Sequence, residues 1–357
     1  MNNDDRISKK IHTGSEAIDE ATIKKLHARV AGAEPNICEI TVIKDGKMLY
    51  QDFWHGYKGD DAQNVMSVTK SVVALLTGIA IDKGYIGGVD EKVLSFFPEY
   101  EVKRGEKTIQ EVTIRHLLTM TAPYKYKSEP WTKVCTSQDW TKAALDLLGG
   151  RSGITGEFKY ATLGIHIMNG IIEQASGQKV VDFANENLFV PLGITPTVEH
   201  GDSSKEDQFD FVMNKNPRKH EWYSDPCGRA TAGWGLTLSA TDMAKIGAML
   251  ANGGKTLDGR EIVSKDWIRQ MTTPYQRLGE RFGNQSYGYL WWLPHGEEPE
   301  EGQKDTTVFA AIGDSGNVIY VDPSRKIAVG VTGTFKPRVF DRVEFIEKKV
   351  LATLGIE

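Results

Sequence analysis

The 357-residue chain reads as an α+β protein. It predicts an antiparallel sheet flanked by helices from both chain ends, with an all-helical lobe inserted between two groups of strands. Three observations carry this reading. Apolar runs bounded by turn signals cluster near residues 39–50 and 307–332. A helical pattern adjoins each cluster, at residues 18–30 and 342–354. The stretch 108–222 between them is helical or aperiodic. Strands from both ends are expected to share one sheet, with the terminal helices on one of its faces. Residues 1–107 and 223–357 would then form a discontinuous α/β lobe, and 108–222 the inserted helical lobe.

The elements follow in order. Residues 18–30 carry an amphipathic helical pattern. Glu39, Ile40, Thr41, Val42 and Ile43, then Asp45-Gly46, then Met48, Leu49 and Tyr50 spell two strands joined by an Asp-Gly turn. Val72, Val73, Ala74, Leu75, Leu76, Ile79, Ala80 and Ile81 leave no polar face, which predicts a buried helix after Ser67 that stops at Gly84. Residues 114–120 and 162–175 predict helices. Residues 121–142 are rich in Tyr, Trp, Pro and Lys and show no period. Residues 307–312, 318–321 and 327–332 predict three strands, with Asp322-Pro323 turning between the last two. A helix over 342–354 closes the chain.

Bulk properties narrow the functional classes. Composition is ordinary for a globular protein, 40% hydrophobic and 25% charged. A net charge of -5 without a basic block argues against nucleic acid as a partner. Apolar runs are too short for a membrane span, and the polar start Met1-Asn2-Asn3-Asp4-Asp5-Arg6 does not follow a signal-peptide pattern. Cys38, Cys135 and Cys227 are odd in number and far apart, which fits free thiols and a cytoplasmic setting. None of the eight histidines falls in a His-x-His or His-Glu-x-x-His pair, so no zinc site is expected. The acidic run at 297–301 reads as a solvated loop.

Ser67-Val68-Thr69-Lys70 opens the buried helix. A serine and a lysine three positions apart share one helix face. Burial disfavours an ammonium, so such a lysine can accept a proton near neutrality. A helix N-terminus also aims free N–H groups at whatever the serine attacks. Together these are the parts of an activated nucleophile. The four-residue string decides little by itself. It recurs at Ser176-Gly177-Gln178-Lys179, where Gly177 reads as a helix C-cap and the lysine as solvated. Ser67 also suits a plain N-cap.

Two further segments bear on chemistry. Phe158-Lys159-Tyr160-Ala161-Thr162 sets a tyrosine just before a helix. A nearby ammonium would lower its phenol pKa and make it a proton shuttle; the alternative is a half-buried tyrosine in ordinary contacts. Gly313-Asp314-Ser315-Gly316-Asn317 ends one strand and starts the next. It reads either as a hairpin turn or as a source of backbone N–H groups for an oxyanion.

Together the three segments resemble the serine β-lactamase and penicillin-binding-protein-like superfamily, and within it the class C β-lactamase, esterase and 6-aminohexanoate-dimer hydrolase branch. "MSVTKSVVALLTGIAIDKGYI" resembles the nucleophile helix, "VTIRHLLTMTA" the next helix and "FKYATLGIHIMNGIIEQASGQ" the tyrosine segment. "FVPLGI", "ATAGWGLTLSATDMAKIGAMLANGG", "YGYLWW" and "AAIGDSGNVIYVDP" resemble later landmarks in the right order. The likeness runs from about Ile40 to the C-terminus. It implies the β-lactamase/transpeptidase-like fold and a β-lactamase-related esterase or amidase working through an acyl-enzyme. It implies a small ester, amide or peptide-like substrate and neither metal nor organic cofactor. By the same resemblance Ser67 is the nucleophile, and Lys70 and Tyr160 share the proton transfers. The Ser67 N–H and an N–H of the Asp314–Ser315 turn form the oxyanion hole. Asn317 stands where related hydrolases often carry glutamine. Tyr126 and Trp131 in the loop 122–131, and Trp234 in Gly233-Trp234-Gly235, are candidate walls for the substrate, each equally readable as ordinary contacts.

The chain departs from the pattern twice. Thr162 fills the third place of a Tyr-x-Asn or Tyr-x-Ser motif, with a shorter reach than an amide. Gly313-Asp314-Ser315 stands where β-lactamases carry Lys-Thr-Gly or His-x-Gly. A basic residue there holds a substrate carboxylate, whereas an aspartate would repel one unless Lys125, Lys127 or Arg229 made up the charge. Neutral esters or amides are therefore the expected substrates. The alternatives are a true β-lactamase or D-amino-acid peptidase and, from another class, a non-catalytic peptide- or ligand-binding module on the same fold. The oligomeric state stays open.

Overall fold

The Asp45-Gly46 pair turns the chain as expected. Both residues are left-handed, φ 49° and 72°, which matches the twist of the strands they join. Those strands, β1 (Ile37–Lys44) and β2 (Lys47–Phe53), pair antiparallel. They are followed by β3 (Gln63–Asn64), β4 (Val198–His200), β5 (Glu221–Tyr223), β6 (Thr237–Leu238), β7 (Gln276–Arg277), β8 (Ser286–Tyr287), β9 (Trp292–Leu293), β10 (Phe309–Gly313), β11 (Asn317–Asp322) and β12 (Ile327–Gly333). This computed structural model describes residues 18–59, 61–201, 204–213, 216–295, 307–339 and 341–356. The polar start and the acidic run at 297–301 lie outside the described residues.

Among the described residues the main sheet has eight strands in the order β2-β1-β12-β11-β10-β9-β8-β7. The two ends of the chain meet where β1 pairs antiparallel with β12. The single sheet expected from both strand groups is the sheet that forms, and the short β7, β8 and β9 extend it.

Helices cover both faces. In chain order they are α1 (Glu20–Ala33), α2 (Val68–Asp82), α3 (Ile114–Leu118), α4 (Trp131–Cys135), α5 (Trp140–Leu145), α6 (His166–Ser176), α7 (Val180–Ala184), α8 (Lys205–Met213), α9 (Ala240–Ala251), α10 (Lys265–Met271) and α11 (Val343–Phe345), which a wider-wound turn continues over Ile346–Leu351. Strand β11 shows how the layers divide, because successive side chains of a strand point to opposite faces. Val318 and Tyr320 join Leu26 and Val30 of α1 and Ile346 and Val350 from the C-terminal turn. Ile319 and Val321 join Met243 and Ile246 of α9 and the apolar residues of α2. The terminal helices thus share one face, as predicted. The helix that follows Ser67 lies on the other, with every residue from Val68 to Ala80 buried.

The middle of the chain is mostly helical, from α3 to α8, but it also holds β4, which pairs parallel with β5. That pair was not expected. Strands of three residues are too short to display a period of two.

One buried charge sits between sheet and helix. Glu39 on β1 is 1% exposed and accepts the Ala240 N–H at 2.7 Å and the Thr241 hydroxyl at 2.8 Å, at the start of α9. Desolvation raises its pKa to about 7 despite these bonds. A folded pKa above the unfolded one means that the folded state holds the extra proton, so this contribution to stability is present at low pH and is lost as pH rises through about 7. Glu39→Gln is expected to change Tm more favourably at pH 8 than at pH 5, measured by thermal unfolding. An equal change at both pH values would contradict the assignment.

Candidate active site

The site is built around a bend at the start of α2. Met66 is left-handed, φ 51°, a conformation that costs a non-glycine residue about 1–2 kcal/mol. Asn64, fully buried, holds the bend: its Oδ1 accepts the N–H groups of Met66 at 3.0 Å and Gly235 at 3.2 Å. Ser67 is already helical, φ −69° and ψ −7°, and makes no capping bond, so the N-cap reading does not hold. Its Oγ instead accepts from Lys70 Nζ at 2.8 Å. Lys70 Nζ donates a second bond to the Gly233 carbonyl at 2.6 Å.

Burial sets the charge state of the pair. Lys70 is 1% exposed, and desolvation lowers its pKa to about 7, with Glu129 pulling the other way. The Tyr160 phenol lies beside Ser67, and its ring centroid lies 5.0 Å from Lys70 Nζ. Its pKa is raised to about 12 by burial, which outweighs the influence of the Ser67 hydroxyl. This corrects the expectation of a lowered phenol. An ammonium half-discharged near neutrality offers little to hold a phenolate, whereas loss of water penalises it fully. The constellation therefore holds a lysine able to be a base and a tyrosine able to be an acid, both aimed at one half-buried serine.

The turn after β10 closes the other side. A Cβ on Gly313 would stand 2.3 Å from the Val65 carbonyl and 3.2 Å from Ser67 N, so only glycine lets the strand lie against the helix start. This brings the Gly313–Asp314 peptide beside the Ser67 N–H. Gly233 is wedged in the same manner, with Thr162 O 2.5 Å from where its Cβ would be.

A profile of the beta-lactamase family matches residues 20–351. The chain belongs to the beta-lactamase family. It is 24% identical over 304 residues to a 6-aminohexanoate-dimer hydrolase from Paenarthrobacter ureafaciens, covering 79% of this chain and 68% of that one. Two solved structures share the fold. An octameric penicillin-binding protein homologue from Pyrococcus abyssi aligns with TM-score 0.67 at 22% identity, over 94% of this chain and 78% of its own. A family VIII carboxylesterase aligns with TM-score 0.65 at 17% identity, over 96% and 98%.

Set on this beta-lactamase-family fold, the residues expected at the site divide. Ser67, Lys70, Tyr160 and the Gly313–Asp314 peptide come together. Ser315 does not join them. Its N–H is donated to the Asp314 carboxylate at 2.8 Å, and its fully buried hydroxyl donates to the Phe335 carbonyl at 2.9 Å. Asn317 is also turned inward, donating to Asp314 O at 2.8 Å and accepting the Gly333 N–H at 3.1 Å. Trp234 is only 7% exposed and stacks with Tyr223, 4.9 Å between centroids, so it is a core residue and no cleft wall. Trp131 is 44% exposed at the start of α4. Tyr126 is half-buried, stacked on Tyr124 at 5.2 Å and under Lys159 Nζ at 4.2 Å. Thr162 contributes its carbonyl and methyl to the contact with Gly233. The Asp314 carboxylate has a cationic partner. Arg338 pairs with its carboxylate, Nε to Oδ1 at 3.1 Å. Lys125 is held by Glu106 and Arg229 by Glu173.

The sequence reading missed two titratable neighbours of Lys70. Glu129, in the loop 122–131, accepts the Leu163 N–H at 2.6 Å, and the Tyr126 hydroxyl lies against it. Burial pushes its carboxyl up, and the attraction of Lys70 opposes that shift. His166 is buried beside Lys70, its pKa lowered to about 3 by desolvation, and its Nδ1 accepts the Ala232 N–H at 3.1 Å. It is neutral at working pH and fixes the bend that offers Gly233 O. The only local hint of Glu129 was an acid next to a proline, Glu129-Pro130, in an aperiodic loop. The Lys70 charge is therefore set by burial and, against it, by Glu129. Because Glu129 favours the ammonium, Glu129→Gln is expected to move the acid limb of kcat/KM to lower pH. An unmoved limb in a pH–rate profile would remove Glu129 from the site's electrostatics.

Proposed function

We propose that this beta-lactamase-family hydrolase cleaves a small ester or amide through an acyl-enzyme on Ser67. The observation that carries the reading is the buried Lys70 amine donating to Ser67 Oγ at 2.8 Å, with its pKa lowered to about 7. Above that pH the neutral amine takes the Ser67 proton as Oγ attacks the carbonyl carbon. Charge develops on the carbonyl oxygen, where the Ser67 and Asp314 N–H groups stabilise it. The bond to the leaving group breaks as Tyr160 gives its proton to the departing oxygen or nitrogen, and the Lys70 ammonium reprotonates Tyr160. Water then attacks the acyl carbon with the same base, and Ser67 leaves with a proton.

The substrate class rests on charge. Ala310, Ala311, Ile312 and Gly313 of β10 carry no cation to meet a carboxylate, which favours neutral esters or amides. The curated relative named as a 6-aminohexanoate-dimer hydrolase is consistent with amide cleavage on this scaffold. Arg338 beside Asp314 favours a second reading, a carboxylate-bearing β-lactam or D-amino-acid amide. p-Nitrophenyl butyrate is expected to show a higher kcat/KM than nitrocefin. The reverse order would promote the second reading.

Ser67→Ala is expected to abolish both turnover and mass labelling by a fluorophosphonate, with the fold retained. Turnover near the wild-type rate in that variant would overturn the proposal. Tyr160→Phe is expected to cost on the order of 10²–10⁴ in kcat, the usual range for a general acid–base group. An unchanged rate would reduce Tyr160 to a wall of the cleft.

A further inference from the structure

Behind the turn that follows β10 lies a buried guanidinium that the reaction does not use. The Arg342 side chain has no exposure. Its Nη1 donates to Ser315 O at 3.1 Å and to Gly316 O at 3.0 Å. Its Nη2 donates to Asn36 Oδ1 and, at 3.0 Å, to Glu34 Oε2, which also accepts Nε at 3.1 Å. Asn36, itself 1% exposed, gives Nδ2 to the same Ser315 O at 3.0 Å and to Thr334 O at 2.8 Å. With Asn317 Nδ2 on Asp314 O, three consecutive carbonyls of the turn are each taken by a buried side chain.

The turn needs holding. Ser315 and Gly316 are both left-handed, φ 71° and 75°, and for serine that conformation is unfavourable by about 1–2 kcal/mol. A strained backbone persists where its surroundings over-determine it. A Cβ on Gly316 would stand 2.4 Å from Arg342 Nη1, so the guanidinium occupies the space a side chain would need. Bonds from a charged donor are stronger than neutral ones, and Glu34 balances the buried charge that makes them. On the opposite side of the same turn, Gly313 abuts Ser67 N. The peptides 314–315, 315–316 and 316–317 are thus anchored from behind, and the next peptide towards the cleft, Gly313–Asp314, carries the N–H that would face a substrate oxyanion.

We infer that Arg342 is a positioning residue of the reaction: with Asn36 and Glu34 it clamps the Asp314–Gly316 turn and so fixes the Asp314 N–H against the Ser67 N–H. The inference rests on the acyl-enzyme reading above for its kinetic consequence, but the clamp itself is independent of that reading. Removing it loosens a donor needed in the transition state and leaves the contacts that bind the ground-state substrate. Misplacing such a group by about 1 Å costs up to roughly 10²-fold in rate.

The test uses Arg342→Lys and Asn36→Ala in the full chain. Asn36→Ala removes one donor to Ser315 O and keeps the guanidinium, so it serves if Arg342→Lys does not fold. Hydrogen exchange followed by mass spectrometry is expected to speed up over residues 309–321 in both variants, with α2 unchanged. For p-nitrophenyl butyrate, kcat is expected to fall about 10–100-fold with KM nearly constant, and affinity for a boronic acid that mimics the tetrahedral adduct to fall in parallel. Folded variants with wild-type exchange over 309–321, or with wild-type kcat and boronate affinity, overturn the inference. If wild-type protein is not acylated at Ser67, the acyl-enzyme reading fails, and the exchange data alone still decide whether Arg342 holds the turn.

Discussion

An amine that has lost its water governs this molecule. Lys70 lies on a helix with no polar face, and its Nζ reaches two oxygen acceptors, Ser67 Oγ and Gly233 O. In water such an amine would be fully protonated and useless as a base at neutral pH. Taking it out of water removes most of that preference. The surroundings follow from this demand. The helix must be sheathed on all sides, by the sheet beneath and the inserted helices above. The carbonyl of Gly233 must come within bonding distance, which no larger residue permits because Thr162 stands at its back. His166 must stay neutral so that it adds no second positive charge.

The same desolvation separates the two titratable groups beside Ser67. It moves an ammonium down and a phenol up, so Lys70 at about 7 and Tyr160 at about 12 are driven apart without any special partner. A pair of groups pushed apart in this way supplies a base and an acid at one pH. Glu129 trims the effect, holding back the fall of the lysine. Asp314 would add unwanted negative charge at the cleft, and Arg338 together with the Ser315 N–H engages it.

Much of this was legible in the chain itself. The Asp45-Gly46 hairpin, the strands at both ends and the apolar helix after Ser67 follow from short-range rules. The segments around Ser67, Tyr160 and Gly313 carried enough order and spacing to indicate the family. What stayed hidden depends on partners far away in sequence. Asn64, Glu129, His166 and Arg342 act through backbone atoms of Gly235, Leu163, Ala232 and Ser315, and no local pattern marks such a pairing. Trp234 misled for a related reason. Its flanking glycines suggest an open loop, but here they let the backbone come close enough to bury the side chain between them. Tyr160 misled because proximity to a cation is visible in a motif, whereas the depth of burial is not.

The meeting of the chain's two ends has a consequence for how the protein is made. Strand β1 waits for β12, and the turn beside Ser67 is anchored by Arg342, both far downstream of the serine. At about 5–20 residues per second, the interval between the emergence of α2 and that of its covering strands is on the order of tens of seconds. Through that interval a helix rich in apolar residues and an unpaired β1 edge stand uncovered, the kind of surface that chaperones bind. A ribosome that stops before β10 releases a chain bearing the serine and the lysine but neither the turn nor its anchor. Assembly of the site around Ser67 is thereby tied to synthesis of the chain as far as Arg342, and products truncated before it are born without the anchored turn.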